Sequence, residues 1–513
     1  MSKNISITEN GAIGLATSGN ALVDLNFSAT SYRRDSNKFI KKFAAAYNEN
    51  PVLAVKWMFY CRDVRGGMGE RAIVHYALGW LQKKHPDVAC KVMELLPEYG
   101  RWDDVVYLVH FSDTREKALE IIKNQLDHDI KIVDSNEKKS ISLLGKWLPS
   151  INASNSEARA DAIVIAKSLG MDNKTYRQTC SKLRSAIGII EHQAMNNEWS
   201  AIDYAAVPSG ANLKYTEAFK RHDGDRYAEF VAAARAGDVK MNASVLMPYE
   251  IVHKYTEGSH YVNGDEPDDA LEAMWNNLAD FDCSGMVMLD GSGSMSTTIG
   301  NGSVTCHDVA DSLAVYFAQK TKGPLHGKFL TFGRKPQFVD ISKCDSLYDA
   351  LSEVSKHTDC SNTDLWLAYK TLADVAVKNH LKQEDLPKRI IIVSDMEFDQ
   401  GCCGRFEDRE DDSLYRYWYG HRYKQADQTL MDEIKEYWHD AGYEMPKLVF
   451  WNVCSRTNTI PMTENKLGVT LMSGFSAACV KMAMSDQLTP FMVIYETLSN
   501  KRYDAVEKAL MKV

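Results

Sequence analysis

The sequence predicts an α-helical repeat domain followed by an α/β domain with a doubly wound parallel sheet. Residues 38–240 carry apolar side chains at intervals of three and four, interrupted by short turns, which is typical of helices. From residue 281, short apolar runs alternate with helix-like segments, which indicates βαβ units. Because 513 residues exceed what one core can organise, at least two domains are expected. We place the helical-repeat domain over residues 1–270 and the α/β domain over 281–513.

The helical half begins with segments such as "VLAVKWMFYCRD" and "RAIVHYALGWLQKKHP", the second of which is ended by Pro86. "REKALEIIKNQLDHDIK" and "SEARADAIVIAKSLGM" continue the same periodicity. A succession of antiparallel helices at this pace predicts an α-solenoid, although the sequence contains no strict repeat. The acidic, turn-rich stretch at 263–274 marks the expected boundary.

The α/β half contains four predicted strands, "GMVMLD", "GKFLTFG", "KRIIIVSD" and "PKLVFWNV". Helix-like segments such as "HDVADSLAVYFAQKTK" lie between them, which favours a parallel sheet. Ligands of such sheets bind at the carboxyl ends of the strands. Two of these strands end in an aspartate, so we expect the functional site there.

The composition excludes several classes of protein. No stretch approaches the roughly 18 apolar residues of a membrane helix, and the N-terminus is polar, so we expect no membrane partner and no signal peptide. The eleven cysteines include no CxxC pair, which favours reduced thiols and a cytoplasmic location.

The charge is unevenly distributed along the chain. Residues 1–250 carry 33 Lys and Arg against 30 Asp and Glu, whereas residues 251–513 carry 27 against 39. The helical half is therefore only mildly basic, and many nucleic-acid-binding domains are far more basic than this.

A D-x-S-x-S pattern follows the first predicted strand and supplies Asp290, Ser292 and Ser294. Thr363 precedes a predicted helix, and Asp395 ends the strand "RIIIVSD". Hard divalent cations take oxygen ligands, and Mg²⁺ combines one or two carboxylates with waters. The alternative is that the serines cap a helix and Asp395 is an ordinary strand-end carboxylate.

These five positions resemble the metal-ion-dependent adhesion site of von Willebrand factor A domains. The resemblance implies a bound Mg²⁺, or another divalent cation such as Mn²⁺ or Ca²⁺, whose open position accepts an acidic group of a ligand. Glu397 and Asp399 lie nearby, and we expect both to face solvent.

Catalysis is not expected. "DGSGS" lacks the G-x-S-x-G setting of a nucleophilic serine. "RGGMGER" lacks the G-K-[ST] of a phosphate-binding loop. We therefore predict a binding protein and no enzyme.

Four helical segments extend the resemblance beyond the metal site: "CRDVRGGMGERAIVHYAL", "LPEYGRWDDVVYL", "WSAIDYAAVPSGAN" and "AFKRHDGDRYAEF". They resemble the TROVE module of the Ro ribonucleoprotein autoantigen family. More closely, they resemble a bacterial and phage family that pairs a TROVE-like helical half with a von Willebrand A half. The resemblance implies a ring of HEAT-like repeats that binds single-stranded ends of RNA or small non-coding RNA.

Basic side chains that could contact RNA phosphates fall into two groups. The first is Arg62, Arg65, Arg71 and Arg101, and the second is Lys174, Arg177, Lys182, Arg184 and His192. Acidic residues beside the first group make structural ion pairs an equal alternative. The tyrosine-rich segment 406–427 has the composition of a protein interface or of a solvated loop.

Two functions remain open at this point. The first is a Ro-like, non-catalytic RNA-binding protein with a Mg²⁺-binding A domain. The second is a metal-dependent protein-interaction scaffold, such as a component of a phage particle, in which the cation recruits an acidic group of a partner.

Overall fold

The structure is a computed structural model that describes residues 4–33, 35–135, 141–280, 284–300, 302–332, 336–357, 365–398, 428–476 and 479–511. The chain divides into two compact units. The first, which we call the α/β unit, comprises Met1–Glu49 and Ala243–Thr497. The second, which we call the helical unit, comprises Asn50–Asn242 and Leu498–Val513.

The predicted order of a helical region followed by an α/β region is confirmed. The compact units are nevertheless interleaved along the chain, and they do not follow the boundaries at 270 and 281. The N-terminal segment belongs to the α/β unit and bonds to its sheet: the Asn452 side chain donates to the Phe27 carbonyl at 2.8 Å.

The N-terminal segment of the α/β unit contains a short hairpin and two helices. The hairpin pairs β1 (Ser6–Ile7) with β2 (Ile13–Gly14), and the helices are α1 (Ala21–Ser28) and α2 (Ser36–Glu49). The Asn20 side chain caps α1 by accepting from the Val23 amide at 3.0 Å. Helix α1 is buried on every side, which is why its sequence shows no amphipathic stripe.

The first segment of the helical unit, residues 50–242, contains twelve helices in its described ranges. They are α3 (Pro51–Arg62), α4 (Ala72–Lys84), α5 (Pro86–Val92), α6 (Leu96–Tyr99), α7 (Trp102–Leu108), α8 (Ser112–Ser135), α9 (Leu144–Trp147), α10 (Ser156–Ser168), α11 (Asn173–Ile187), α12 (Ile190–Met195), α13 (Ser209–His222) and α14 (Gly224–Ala236). Polar side chains cap the N-termini of several of these helices. In α11, for example, Asp172 accepts from the Thr175 amide at 2.7 Å.

The remainder of the α/β unit carries a six-stranded sheet. Its strands are β3 (Gly285–Asp290), β4 (Lys328–Phe332), β5 (Phe338–Asp340), β6 (Arg389–Ser394), β7 (Lys447–Asn452) and β8 (Val469–Ser473). The accompanying helices are α15 (Pro248–Thr256), α16 (Asp269–Asn276), α17 (Cys306–Lys320), α18 (Leu347–Val354), α19 (Leu365–Lys378), α20 (Gln428–Asp440), α21 (Val480–Ala483) and α22 (Pro490–Leu498). Helix α23 (Asp504–Met511) returns to the helical unit.

The sheet has the spatial order β5-β4-β3-β6-β7-β8. All neighbouring pairs are parallel except β4 with the edge strand β5. The order of connection reverses between β3 and β6, which makes their carboxyl ends the switch point where ligands of such sheets bind. Both strands are buried along their whole length, as their continuous apolar sequences predict.

None of the helices in the described ranges combines the length and the apolar character needed to cross a bilayer.

Candidate metal centre and candidate RNA-binding groove

The two predicted aspartates lie at the switch point of the sheet. Asp290 is the last residue of β3, and Asp395 directly follows the last residue of β6. Strands β3 and β6 pair in parallel register, with Leu289 opposite Val393. Parallel pairing therefore brings both carboxylates to the same edge, and both are buried.

Asp290 is held by hydrogen bonds from its neighbours. The Ser394 hydroxyl donates to Asp290 Oδ2 at 2.5 Å, and the Ser292 amide donates to Oδ1 at 2.9 Å. The Ser292 and Ser294 hydroxyl oxygens lie 3.0 Å apart. Burial raises the pKa of Asp290, while these hydrogen bonds act in the opposite direction.

Asp395 carries an incompletely compensated charge. Its Oδ1 accepts from the Glu397 amide at 3.2 Å, and Arg456 Nη1 lies 3.3 Å from Oδ2. Among the described residues, Oδ2 has no hydrogen bond of good geometry. Burial, followed by the charge of Asp290, raises the pKa of Asp395 to about 7. The two carboxylates therefore repel each other in a site that water hardly reaches.

This donor set fits a hard divalent cation. Two carboxylates and two hydroxyls offer only oxygen atoms, which Mg²⁺ prefers, and a bound cation would offset the repulsion between the carboxylates. Thr363 lies outside the described residues. Ser292 makes no side-chain cap to the short 3₁₀ turn that follows it, and Thr305 caps the next helix, α17. The helix-cap alternative therefore finds no support in this geometry.

Our expectation that Glu397 faces solvent was wrong. Its side chain is 4% exposed and accepts from the Arg456 amide at 2.6 Å and the Thr457 amide at 2.9 Å. The Glu9 amide of the N-terminal segment donates to it as well, at 2.8 Å. Glu397 thus orders the loop that carries Arg456 toward Asp395. Asp399 lies outside the described residues.

The first predicted RNA-binding group is engaged in structural contacts. Arg62 is 1% exposed, and its Nε lies 2.8 Å from Asp104 Oδ2. Arg62 therefore forms a structural ion pair, which was the alternative to RNA binding. The others make contacts near the surface: Arg65 donates to the Glu98 carbonyl at 2.6 Å, Arg71 Nη2 lies 2.7 Å from Asp103 Oδ2, and the Arg101 guanidinium lies 4.9 Å from the centroid of the Trp147 ring.

The glycines of "RDVRGGMGER" serve close packing. A Cβ on Gly67 would lie 1.9 Å from the Tyr60 carbonyl oxygen, so only glycine fits there. The adjoining Asp63 is fully buried and accepts from Arg502, with Nη2 at 2.7 Å from Oδ1, and from the Tyr503 hydroxyl. Sequence reasoning missed this contact because Arg502 lies more than 400 residues away in the chain.

The second predicted group converges in part on one groove. A cavity of about 490 Å³ lies between α11 and α12 and the segment after α9. Its lining includes Lys146, Arg177, Arg184, Glu191 and His192. Sequence reasoning missed Lys146, which reaches the groove from a different helix.

Two other members of the second group do not line this groove. Lys182 pairs with Asp134, and Lys174 is exposed at the start of α11. Within the groove, Arg184 donates to the carbonyls of Gly145 at 3.0 Å and Leu148 at 2.7 Å. The segment 406–427 lies outside the described residues.

Comparison with known proteins finds two families without an assigned activity. Residues 8–123 and 118–282, together more than half of the chain, match "Domain of unknown function (DUF2828)". Residues 284–508 match "Domain of unknown function (DUF7788)". The chain is also similar to "Uncharacterized protein L728" of Acanthamoeba polyphaga mimivirus, at 25% identity over 96% of this chain and 87% of that protein.

Proposed function

Because the chain belongs to the DUF2828 family, whose description carries no activity, we propose its function from the sites alone: it is a non-catalytic RNA-binding protein with a divalent-cation site. The helical unit binds RNA, and the α/β unit is a von Willebrand A-like module that holds Mg²⁺ at Asp290, Ser292, Ser294 and Asp395. Thr363 is the fifth proposed ligand. The helices of the first module are HEAT-like repeats.

The cation site is the better supported of the two. The observation that carries it is the convergence of two buried carboxylates and two hydroxyls at the switch point, with the pKa of Asp395 raised to about 7. Buried carboxylates that repel each other cost stability unless a cation compensates them. A bound Mg²⁺ would supply an open position for an acidic oxygen of a ligand.

RNA binding is supported by the groove between α11 and α12. Lys146, Arg177 and Arg184 bring three cations to one cavity, and His192 adds an aromatic ring on which a base could stack. Glu191 lies in the same lining, with Oε1 3.9 Å from Lys146 Nζ. The groove therefore has a net positive charge, which suits one or two phosphates of a single strand.

The test is RNA retention by the purified full chain. The protein is isolated without nuclease, and binding of the retained RNA is measured at two salt concentrations. Arg177→Ala with Lys146→Ala should weaken binding and flatten its salt dependence. Lys83→Ala with Lys84→Ala removes the same charge from exposed positions of the same unit and should leave binding unchanged. An equal loss of RNA affinity in both double variants would refute the groove as the RNA-binding site.

A second candidate function is a metal-dependent protein scaffold, for example in a phage particle. The incompletely compensated carboxylates of Asp290 and Asp395 favour it, because a cation there would recruit an acidic side chain of a partner. The 406–427 segment is the further proposed contact surface. Failure to retain RNA, together with a partner that binds only when Mg²⁺ is present, would select this function. The seven free cysteines in the described ranges support a reducing compartment such as the cytoplasm for either function.

A further inference from the structure

A second cluster of metal-binding side chains lies in the α/β unit, apart from the oxygen ligands at the switch point. It consists of His260, His307 and Asp311, whose ligand atoms all lie within 4.8 Å of one another. His307 and Asp311 are 5% and 3% exposed, and His260 is half-buried. No motif search would find the cluster, because His260 lies 47 positions before His307 in the chain.

The local structure explains how the three side chains meet. His307 and Asp311 are four residues apart in α17 and therefore share a face of that helix. His260 comes from the turn that follows α15, where Gly258 adopts φ +85°. A Cβ on Gly258 would lie 2.6 Å from the Ser303 carbonyl oxygen, so glycine permits the close approach that presents His260 to α17.

The polar atoms of this cluster lack the partners that buried groups normally have. Within the described ranges, no hydrogen bond reaches either ring nitrogen of His260, Nδ1 of His307 or Oδ1 of Asp311. His260 Nδ1 and Asp311 Oδ2 lie 3.5 Å apart. A buried polar atom without a partner destabilises the folded protein, so four such atoms in one cluster require an explanation.

An adjacent histidine–aspartate contact, between α15 and α17, has hydrogen-bond partners for its polar atoms. His253 of α15 has Nδ1 2.9 Å from Asp308 Oδ2 and Nε2 2.9 Å from the Ser303 hydroxyl. Asp308 also accepts from the Thr305 amide at 2.8 Å. A buried histidine and aspartate in this region can therefore have hydrogen-bond partners for their polar atoms. The lack of such partners is specific to His260, His307 and Asp311.

We propose that His260, His307 and Asp311 form a site for a transition-metal dication of the Zn²⁺ type. Two imidazoles and one carboxylate suit Zn²⁺ and related metals, whereas Mg²⁺ prefers oxygen alone. Bonds of about 2.0–2.1 Å to such a metal place donor atoms about 3.3 Å apart, so ligand atoms that lie within 4.8 Å of one another need to close by at most about 1.5 Å. Burial lowers the pKa of His307, which keeps its ring neutral and its lone pair available.

The site is next to the proposed Mg²⁺ centre but independent of it. His307 lies close enough to Asp290 for its charge to influence the pKa of that carboxyl group. The two sites differ in donor type, so separate metals can test them separately.

Co²⁺ is the probe, because tetrahedral Co²⁺ with nitrogen ligands absorbs visible light strongly and free Co²⁺ does so weakly. The full chain, stripped of metal with a chelator, should bind one Co²⁺ with such a spectrum and release it to one equivalent of Zn²⁺. His260→Gln and Asp311→Asn should each weaken binding at least tenfold. His253→Gln, the histidine with satisfied partners, should leave the affinity unchanged.

Asp290→Ala separates this inference from the proposed function, since it should abolish the Mg²⁺ effect and retain the Co²⁺ spectrum. Melting curves without metal establish that each variant is folded. A weak spectrum in the wild type would overturn the proposal, as would an equal spectrum in His260→Gln and Asp311→Asn.

Discussion

Two clusters of buried carboxylates, one in each unit, differ in how their charges are compensated. In the helical unit, Asp104 meets Arg62 Nε at 2.8 Å and His75 Nε2 at 2.8 Å, and Asp63 meets Arg502. At the switch point of the α/β unit, burial and the charge of Asp290 raise the pKa of Asp395, while hydrogen bonds and the partly exposed Arg456 compensate the two carboxylates only in part. A paired charge holds helices together, whereas an uncompensated one is available to a ligand.

Two sequence motifs of similar composition, one in each unit, also differ in whether their charges are paired. "RDVRGGMGER" and "VMLDGSGSMS" both combine glycines with charged or polar residues. In the first, charged side chains form ion pairs with other residues of the helical unit. In the second, carboxylate and hydroxyl oxygens remain together at the edge of the sheet.

The largest effect is expected from breaking the buried pair of the helical unit. Arg62→Met leaves Asp104 buried without its main cation, which should cost about 3–5 kcal/mol of unfolding free energy. Chemical denaturation measures this loss. Arg65→Met, an exposed arginine of the same motif, should change the free energy by less than about 1 kcal/mol. Similar effects of both variants would contradict the contrast between buried and exposed arginines.

At the switch point, by contrast, a substitution is expected to increase the free energy of unfolding. Asp395→Asn removes a charge that burial and Asp290 both disfavour, so the metal-free protein at about pH 8 should gain roughly 1–3 kcal/mol. Asp340→Asn is the matched control in the same unit. Burial alone would raise the pKa of Asp340, but hydrogen bonds from Ser342 and the charge of Lys328 lower it to about 2, so this variant should lose stability.

The pH dependence of stability that Asp63 contributes should have the opposite sign to the pH dependence that Asp395 contributes. Burial alone would raise the pKa of Asp63, but hydrogen bonds from Arg502 and the backbone lower it, so its stabilisation is present above about pH 4 and is lost as the pH falls further. The pKa of Asp395 is raised to about 7, so the metal-free α/β unit should gain stability as the pH falls from about 7 toward 4.

Hydrogen exchange of each unit, corrected for intrinsic rates, measures both trends. Parallel trends in the two units would contradict the comparison.

The smallest effect concerns one exposed cation. Lys174→Ala removes a side chain at the start of α11 that lies outside the groove. RNA affinity should fall by less than about threefold, because a single exposed phosphate contact contributes little. Filter binding measures it. A loss as large as that of Arg177→Ala would move the RNA path from the groove to the outer face of α11.

The sequence predicted β3, β4, β6 and β7, their parallel pairing and the aspartates that follow β3 and β6, because buried parallel strands leave continuous apolar runs. It did not predict β5, which is antiparallel, or β8. It also predicted the helices from their 3.6-residue period. It did not predict the buried position of Glu397, since nothing local distinguishes a carboxylate that accepts from backbone amides of a distant loop. The partnership of Asp63 with Arg502 and the meeting of His260 with α17 are equally long-range.

The most direct test of the central claim is the effect of Mg²⁺ on thermal unfolding of the wild type and of Asp290→Ala. The account predicts that Mg²⁺ raises the melting temperature of the wild type by several degrees, since a ligand at about 100 times its Kd adds about 2.7 kcal/mol, and leaves the variant unchanged. An equal rise in both proteins, or no rise in the wild type at millimolar Mg²⁺, would contradict a cation site at the carboxyl ends of β3 and β6.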